Sequence, residues 1–339
     1  MKFRSHITFL LLFSLFLTCV QAQPPSHRNQ GAGIVFFKKK KRYWTVGGSL
    51  QAMNYVGDLD PAQNFLSPAM RYTRPNFGCF GTYRYNQRFT FRGAFSWGRI
   101  YGSDKISDTE GDDQFRRMRN ANFRNTISEL KFDVIYDLRV NKHDYLSRSG
   151  FLIPYVFVGI AGFYHNPKAE RNGQWIPLQP LKTEGVAYSK FQVAVPFGLG
   201  VRFKLINNFD LAFEIGWRKT FTGYLDDVNR NYVDPQNQSP LAAEMANRSL
   251  DWISQPANPA QYENVEKTAL RQFIKQGAPD IAYERIYYNK ETDRLEFWGW
   301  GREGDQRGHK KEKADWYILT GVHLSYIIGG HISCPRFTD

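Results

Sequence analysis

Apolar and polar side chains alternate with a period of two along eight stretches of this chain, each about a dozen residues long. In residues 44–56, Trp44, Val46, Gly48, Leu50 and Ala52 share a face opposite Thr45, Ser49 and Gln51. Residues 77–85 set Phe77, Cys79, Gly81, Tyr83 and Tyr85 against Gly78, Phe80, Thr82 and Arg84, and residues 89–97 set Phe89, Phe91, Phe95 and Trp97 against Thr90, Arg92 and Ser96. The fourth stretch, 130–138, sets Leu130, Phe132, Val134, Tyr136 and Leu138 against Glu129, Lys131, Asp133, Asp137 and Arg139. A helix would scatter those charges around its circumference, so a strand is expected. Residues 153–163 are apolar on both faces, and their Gly, Val, Phe and Tyr content favours a strand. The alternation returns in 191–205, in 209–221, with Asp210, Glu214, Arg218 and Thr220 opposite the apolar face, and in 316–328, where His323 and Ser325 share the polar face.

The connections alternate in length. Residues 86–88 and 206–208 are tight turns and 141–150 a moderate one, whereas 57–74, 102–123, 166–190 and 225–315 are long. Short turns at one end and long loops at the other are the habit of outer-membrane barrels, which places both termini in the periplasm. The last loop is too long for simple coil. Pro240 and Pro259 each open an apolar pattern at helical spacing, so short helices are expected over 240–253 and 259–276, with a polar, glycine-rich segment at 299–313.

A soluble β-sandwich also alternates, so the surroundings decide. Lys2 and Arg4 precede an apolar run over 7–20 and the Val20-Gln21-Ala22 cleavage pattern, so residues 1–22 read as a signal peptide and the mature chain begins at Gln23. A lipoprotein signal at Cys19 is the weaker alternative, because Phe16 and Thr18 fit poorly before a lipidated cysteine. Beyond Val20 no run reaches the roughly 18–20 apolar residues of a spanning helix. Aromatic residues make up 16% of the chain, alongside 28 glycines and a mean hydropathy of −0.51. A barrel that is greasy on one strand face only has such an average. Tyr43, Trp44, Phe89, Trp97, Tyr101, Tyr155, Tyr224, Trp316 and Tyr326 fall near strand ends, as two interfacial girdles require. With Cys19 lost, Cys79 in a strand and Cys334 in the tail, no disulfide framework is expected. The expected fold is all-β: an eight-stranded antiparallel transmembrane barrel over 43–329, with an external insert at 225–315, a basic periplasmic segment at 23–42 and a periplasmic tail at 330–339.

An eight-stranded barrel fills with its own side chains. Glu129, Lys131, Asp133, Arg202, Lys204, Asp210, Glu214 and Arg218 should therefore pair inside as a plug and not line a pore. His323 and Ser325 have the groups of a lipid-modifying enzyme but lack an evident third residue to orient them, so a satisfied interior histidine is the plainer reading. Asp226, Asp227 and Asp234 form either an external acid or calcium site or, more simply, a solvated loop. No cofactor or metal motif, and no small-molecule substrate, is indicated. Lys38, Lys39, Lys40, Lys41 and Arg42 precede the first strand. Without a stacking platform they suit anionic lipid or a periplasmic partner better than nucleic acid, as does the formal net charge of +13, two less once Lys2 and Arg4 are gone.

Several stretches together resemble the PorG-like outer-membrane proteins of the type IX secretion system. They are NYVGDL (54–59), RPNFGCFGTYRYNQRFTFRGAFSWGRI (74–100), PYVFVGIAGFYHNPKA (154–169), LQPLKTEG (178–185), PFGLGVRF (196–203), EIGWRKTFTGYLDDV (214–228), LAAEMANRS (241–249) and ADWY (314–317). The resemblance implies a barrel without enzymatic activity that anchors a periplasmic ring of PorK-like and PorN-like subunits to the outer membrane for protein secretion and gliding. Residues 251–312 are longer than that pattern and the basic run before the first strand departs from it. Docking is then expected through Lys38, Lys39, Lys40, Lys41, Arg42, Arg88 and Lys142, the alternative being a barrel whose external lid binds a surface ligand or partner protein.

Overall fold

The computed structural model describes residues 42–59, 72–104, 119–139, 152–206, 208–234, 237–248, 304–308 and 314–328, with the backbone course of 286–289 and 294–297. The expected signal peptide, Lys38 to Lys41, residues 141–150 with Lys142, the stretch 259–276 where a helix is expected, most of the 299–313 segment and residues 330–339 lie outside them.

All eight alternating stretches form strands: β1 (Tyr43–Val56), β2 (Arg74–Arg84), β3 (Phe89–Ser103), β4 (Asn122–Asp137), β5 (Ile153–Tyr164), β8 (Phe191–Ile206), β9 (Phe209–Thr220) and β12 (Trp316–Ile328). Their antiparallel order is β3-β2-β1-β12-β9-β8-β5-β4, and β4 pairs back onto β3, so the sheet closes. Closure leaves no barrel strand with an unpaired edge, which is the condition for crossing lipid as a sheet. The 85–89 turn closes tightly because the Asn86 side chain accepts the backbone N–H groups of Arg88 at 2.8 Å and Phe89 at 2.7 Å.

Register fixes the faces. Trp44, Leu50, Phe77, Phe91, Phe95, Trp97, Leu130, Phe132, Val158, Ile160, Val193 and Phe213 all point outward and are between 47% and 66% exposed. So large a continuous apolar surface is untenable in water and natural in hydrocarbon. Phe89 to Trp97 advances about 27 Å along β3, or roughly 21 Å at a barrel-like tilt, close to the apolar height of an outer membrane. Beyond Trp97 the outward positions become Arg99 and Tyr101, and on β4 they become Thr126 and Arg124. This explains why β3 runs to Ser103 and β4 starts at Asn122, both past the stretches the apolar alternation marks: the strands continue out of the belt. Three of the nine aromatics expected in the girdles turn inward instead. Tyr43 lines the barrel interior, and Tyr155 and Tyr224 are buried.

The long connections hold more order than expected. Residues 166–190 contain the hairpin β6 (Pro167–Arg171) and β7 (Gln174–Pro177), which extends the sheet from β4. It turns through Asn172 and Gly173 at φ of 49° and 78°, the left-handed pair of a two-residue hairpin turn. In the last loop, α1 (Pro240–Ala246) starts at Ser239, whose hydroxyl accepts the Ala242 N–H at 3.2 Å. It stops at Ala246, short of the expected 253, because Asn247 is extended. A second hairpin, β10 (Ile286–Asn289) and β11 (Arg294–Phe297), lies between the segments for which the sequence pattern sets an expectation.

Candidate functional site

Inside the belt, the polar faces of the strands meet in an ion network. Arg84, Arg92, Lys131, Arg202 and Arg218 stand against Glu129, Asp133, Asp137, Asp210 and Glu214, with Lys204 in register with Asp210 at the turn end. Arg92 is the hub, donating to Asp133 at 2.9 Å and also to Glu214 across the barrel. Lys131 joins Asp133 at 2.7 Å, and Asp137 takes Arg84 and Arg202 at 2.6 Å each. Tyr155 donates to Glu214 at 2.6 Å. Its ring has room because the facing wall residue is Gly200, where a Cβ would collide with it. Glu129, Lys131, Asp133, Arg202, Glu214 and Arg218 thus pair inside as expected, in a network that also recruits Arg84, Arg92 and Asp137. Toward the loop end an apolar layer that includes Met53, Ile100, Phe123, Phe163 and Leu319 lies above the charges. Toward the turn end a cavity of about 30 Å³ lies between Arg84, Arg202, Asp210, Glu214 and His323, room for about two water molecules.

His323 and Ser325 are both inward but not coupled. His323 Nε2 lies 3.3 Å from Glu214 and 3.0 Å from the Gln51 amide, whereas Ser325 Oγ reaches the Asp210 carbonyl at 3.4 Å. This is a histidine serving the network.

The loop end is closed by a cap in which two arginines each hold several loops. Arg119 grips Asp104 with both arms at 2.7 and 2.8 Å, and reaches the carbonyls of Asp58 at 3.0 Å and Arg307 at 2.6 Å. Arg307 donates to Glu184 at 2.9 Å, to the Asp227 carbonyl at 2.6 Å and to the Ala246 carbonyl at 3.2 Å. Glu184 also accepts the backbone N–H groups of Asn229 and Arg230 at 3.0 Å each. Asp226 and Asp227 are thus buried, which overturns the solvated-loop reading; nor are they brought together as an acid pair. Asp227 accepts from Thr183, and from Tyr188 at 2.7 Å. Asp226 instead meets Tyr55 at 2.6 Å, and Asp315 meets the same phenol oxygen at 3.1 Å. The single phenol O–H is shared between the two carboxyls, with the shorter bond going to Asp226. Asp234 joins a local turn with Asn237, and among the described residues no cluster of His, Cys, Asp and Glu has a metal-holding arrangement.

Burial raises Asp226 to about 7 and Asp227 to about 6, and raises Asp315 with help from the neighbouring Asp226 charge. Burial lowers His165 to about 4. A carboxyl raised on folding stabilises fully below its unfolded value near 4 and loses that contribution as pH rises through its folded value. His165 acts oppositely, losing its contribution as pH falls from about 6.5 toward 4. Three carboxyls outweigh one histidine. The unfolding free energy of the capped barrel, from urea titrations, should therefore fall from about pH 5 to pH 8 by about 1 kcal/mol or more, and fall less in Asp315→Asn.

Of the residues expected to dock a partner, Arg42 and Arg88 are described, and both sit on the turn-end rim. The Arg42 guanidinium lies 5.0 Å from the centre of the Tyr85 ring, and Arg88 donates to the Tyr136 hydroxyl at 2.6 Å.

A closed antiparallel barrel of eight strands, belted by apolar side chains and filled by paired charges, is a small barrel of the outer-membrane type. The chain belongs to the DUF6089 family, a domain of unknown function, whose model matches residues 34–252. No curated protein matches. Among solved structures it is similar to Neisserial surface protein A, at 8% identity over 84% of this chain and 96% of that one, with a TM-score of 0.31. The N-terminal β-barrel domain of Pseudomonas aeruginosa OprF is 9% identical over 84% of this chain and 98% of that one, with a TM-score of 0.30. Ail, the attachment invasion locus protein of Yersinia pestis, solved with the heparin analogue sucrose octasulfate, is 12% identical over 52% of this chain and 85% of that one, with a TM-score of 0.28. The barrel assignment stands on the strand register itself.

Proposed function

We propose that this protein is a non-catalytic outer-membrane component of a type IX secretion or gliding machine that anchors a periplasmic ring to the membrane through its turn end. The observation that carries the reading is the cationic rim at that end. Arg42 and Arg88 are held on tyrosines at the edge of the apolar belt, where the run Lys38 to Lys41 leads into β1. Such a rim suits an acidic face of a ring built by PorK-like and PorN-like subunits. The sealed interior supports a structural role over conduction, because paired charges and an apolar layer fill the cylinder. Segments that carry the PorG-like resemblance, 178–185, 214–228 and 314–317, supply Glu184, Asp226, Asp227 and Asp315 of the cap. In this reading the turn end and both termini face the periplasm and the cap faces the outside. The test is photo-crosslinking in cells from Arg42 and Arg88, with Gln174 on the exposed loop-end hairpin as the comparison. Arg42 and Arg88 should capture a periplasmic ring subunit and Gln174 should not. Capture from Gln174 alone would favour the second reading, an external lid that binds a surface partner, for which the ordered cap speaks.

A further inference from the structure

One part of the outer wall is neither apolar belt nor cap. Immediately above Trp97 the outward side chains of neighbouring strands are cationic. Arg99 on β3 stands opposite Thr126, one outward step below Arg124, whose cross-strand partner is Tyr101. On its other side Arg124 is paired in register with Lys168 of β6. Like charges directly opposite one another on a sheet face repel, and Arg99 repels Arg124 here while Glu170 attracts it. Glu170 is set two residues further along β6, at the level of Asn122, so the carboxylate lies on the side away from the belt. The Arg124 guanidinium carbon lies over the Trp175 ring, 4.0 Å from its centre. That cation–π contact positions the head group, and a π face takes up none of its N–H donors in a conventional hydrogen bond.

Three cations are thus gathered within one outward step of each other, Arg99 next above the lipid-facing Trp97 and Arg124 level with Lys168 beyond it, with Arg99 exposed. A group that relieves their repulsion must be anionic and must arrive from the lipid side, because the apolar belt is continuous with the patch. Phosphate fits best, since a guanidinium fork pairs with phosphate oxygens in two places and a lysine adds a point charge. We propose that Arg99, Arg124 and Lys168 form a docking site on the barrel's outer wall for the phosphate of an outer-leaflet glycolipid, its acyl chains lying along Trp97, Phe95 and Leu130. This rests on the outer-membrane reading with the cap outside; it does not depend on the ring partner.

The test uses the full mature chain in dodecyl maltoside micelles, with lipid retention read by native mass spectrometry. The probes are bisphosphorylated lipid A, the same lipid with its phosphates removed, and phosphatidylglycerol. Wild type should retain the bisphosphorylated form preferentially, and the triple variant Arg99→Gln/Arg124→Gln/Lys168→Gln should lose about tenfold or more in occupancy. Lys219→Gln, on the opposite wall over Trp316, should leave occupancy unchanged. Where the triple variant does not fold, Arg99→Gln alone should lower occupancy severalfold. Equal retention of the dephosphorylated lipid, preference for phosphatidylglycerol, or undiminished binding by folded Arg99→Gln would overturn the proposal. A chain that stays soluble without detergent would instead overturn the membrane reading beneath it.

Discussion

Replacing Arg92 by methionine should destabilise the barrel by about 3–5 kcal/mol, because it leaves buried carboxylates without their cation. Arg92 is 3% exposed and is the residue that ties Asp133 on its neighbouring strand β4 to Glu214 on the far wall. Methionine fills most of the space but supplies no donor. Lys131 still satisfies Asp133 at 2.7 Å, while Glu214 loses its direct guanidinium partner and keeps the Tyr155 hydroxyl and the His323 ring, so the loss concentrates there. The measurement is urea unfolding of the protein in bilayers, followed by the gel-mobility shift between folded and unfolded barrel. The double variant Arg92→Met/Glu214→Gln should recover a good part of the loss, since an uncharged amide is far easier to bury than a stranded carboxylate. An unchanged midpoint in Arg92→Met would mean that water reaches the network and that the interior is not sealed.

The second large effect lies on the outer wall. Ile160 is 66% exposed and sits beside Phe132 in the middle of the belt. Ile160→Arg should lower bilayer stability by about 2–4 kcal/mol, and Tyr164→Arg, at the belt's edge, by only about 0–1 kcal/mol. In a water-soluble sandwich an exposed isoleucine-to-arginine change would fall within about 0.5 kcal/mol of neutral or help solubility. The depth dependence therefore separates the two surroundings, through insertion yield into vesicles and unfolding midpoint. Equal effects at both positions would contradict a lipid-facing belt.

The barrel was legible in the sequence because each strand carries its own face pattern, and closure requires only that the patterns agree with their neighbours. Strand β4 is the clearest case: Glu129, Lys131, Asp133 and Asp137 declare an interior, and Leu130, Phe132 and Val134 declare lipid. Tyr43 could have been placed inward by the same rule, since Trp44 and Val46 face out. Strand β5 left Tyr155 ambiguous, since both of its faces are apolar. The hairpin at Asn172 and Gly173 had a readable signal in that dipeptide, masked by the charged residues around it. The cap was not legible. Asp226 and Asp227 look like any solvated turn until Tyr55, Thr183, Tyr188, Arg307 and Asp315 arrive from distant parts of the chain, and no local pattern foretells such partners. The outward cations Arg99 and Arg124 were likewise hidden, because they become a cluster only through the β3–β4 register.

The central claim, that lipid lies outside and charge inside a closed cylinder, is tested most directly by a cysteine scan along residues 129–136 of β4. The scan uses a chain whose native cysteines are replaced by serine, labelled with a fluorophore and reconstituted with lipids carrying a quencher on their acyl chains. Quenching should alternate, strong at positions 130, 132 and 134 and weak at 129, 131 and 133. Uniform quenching along the strand, or none at any position, would contradict it.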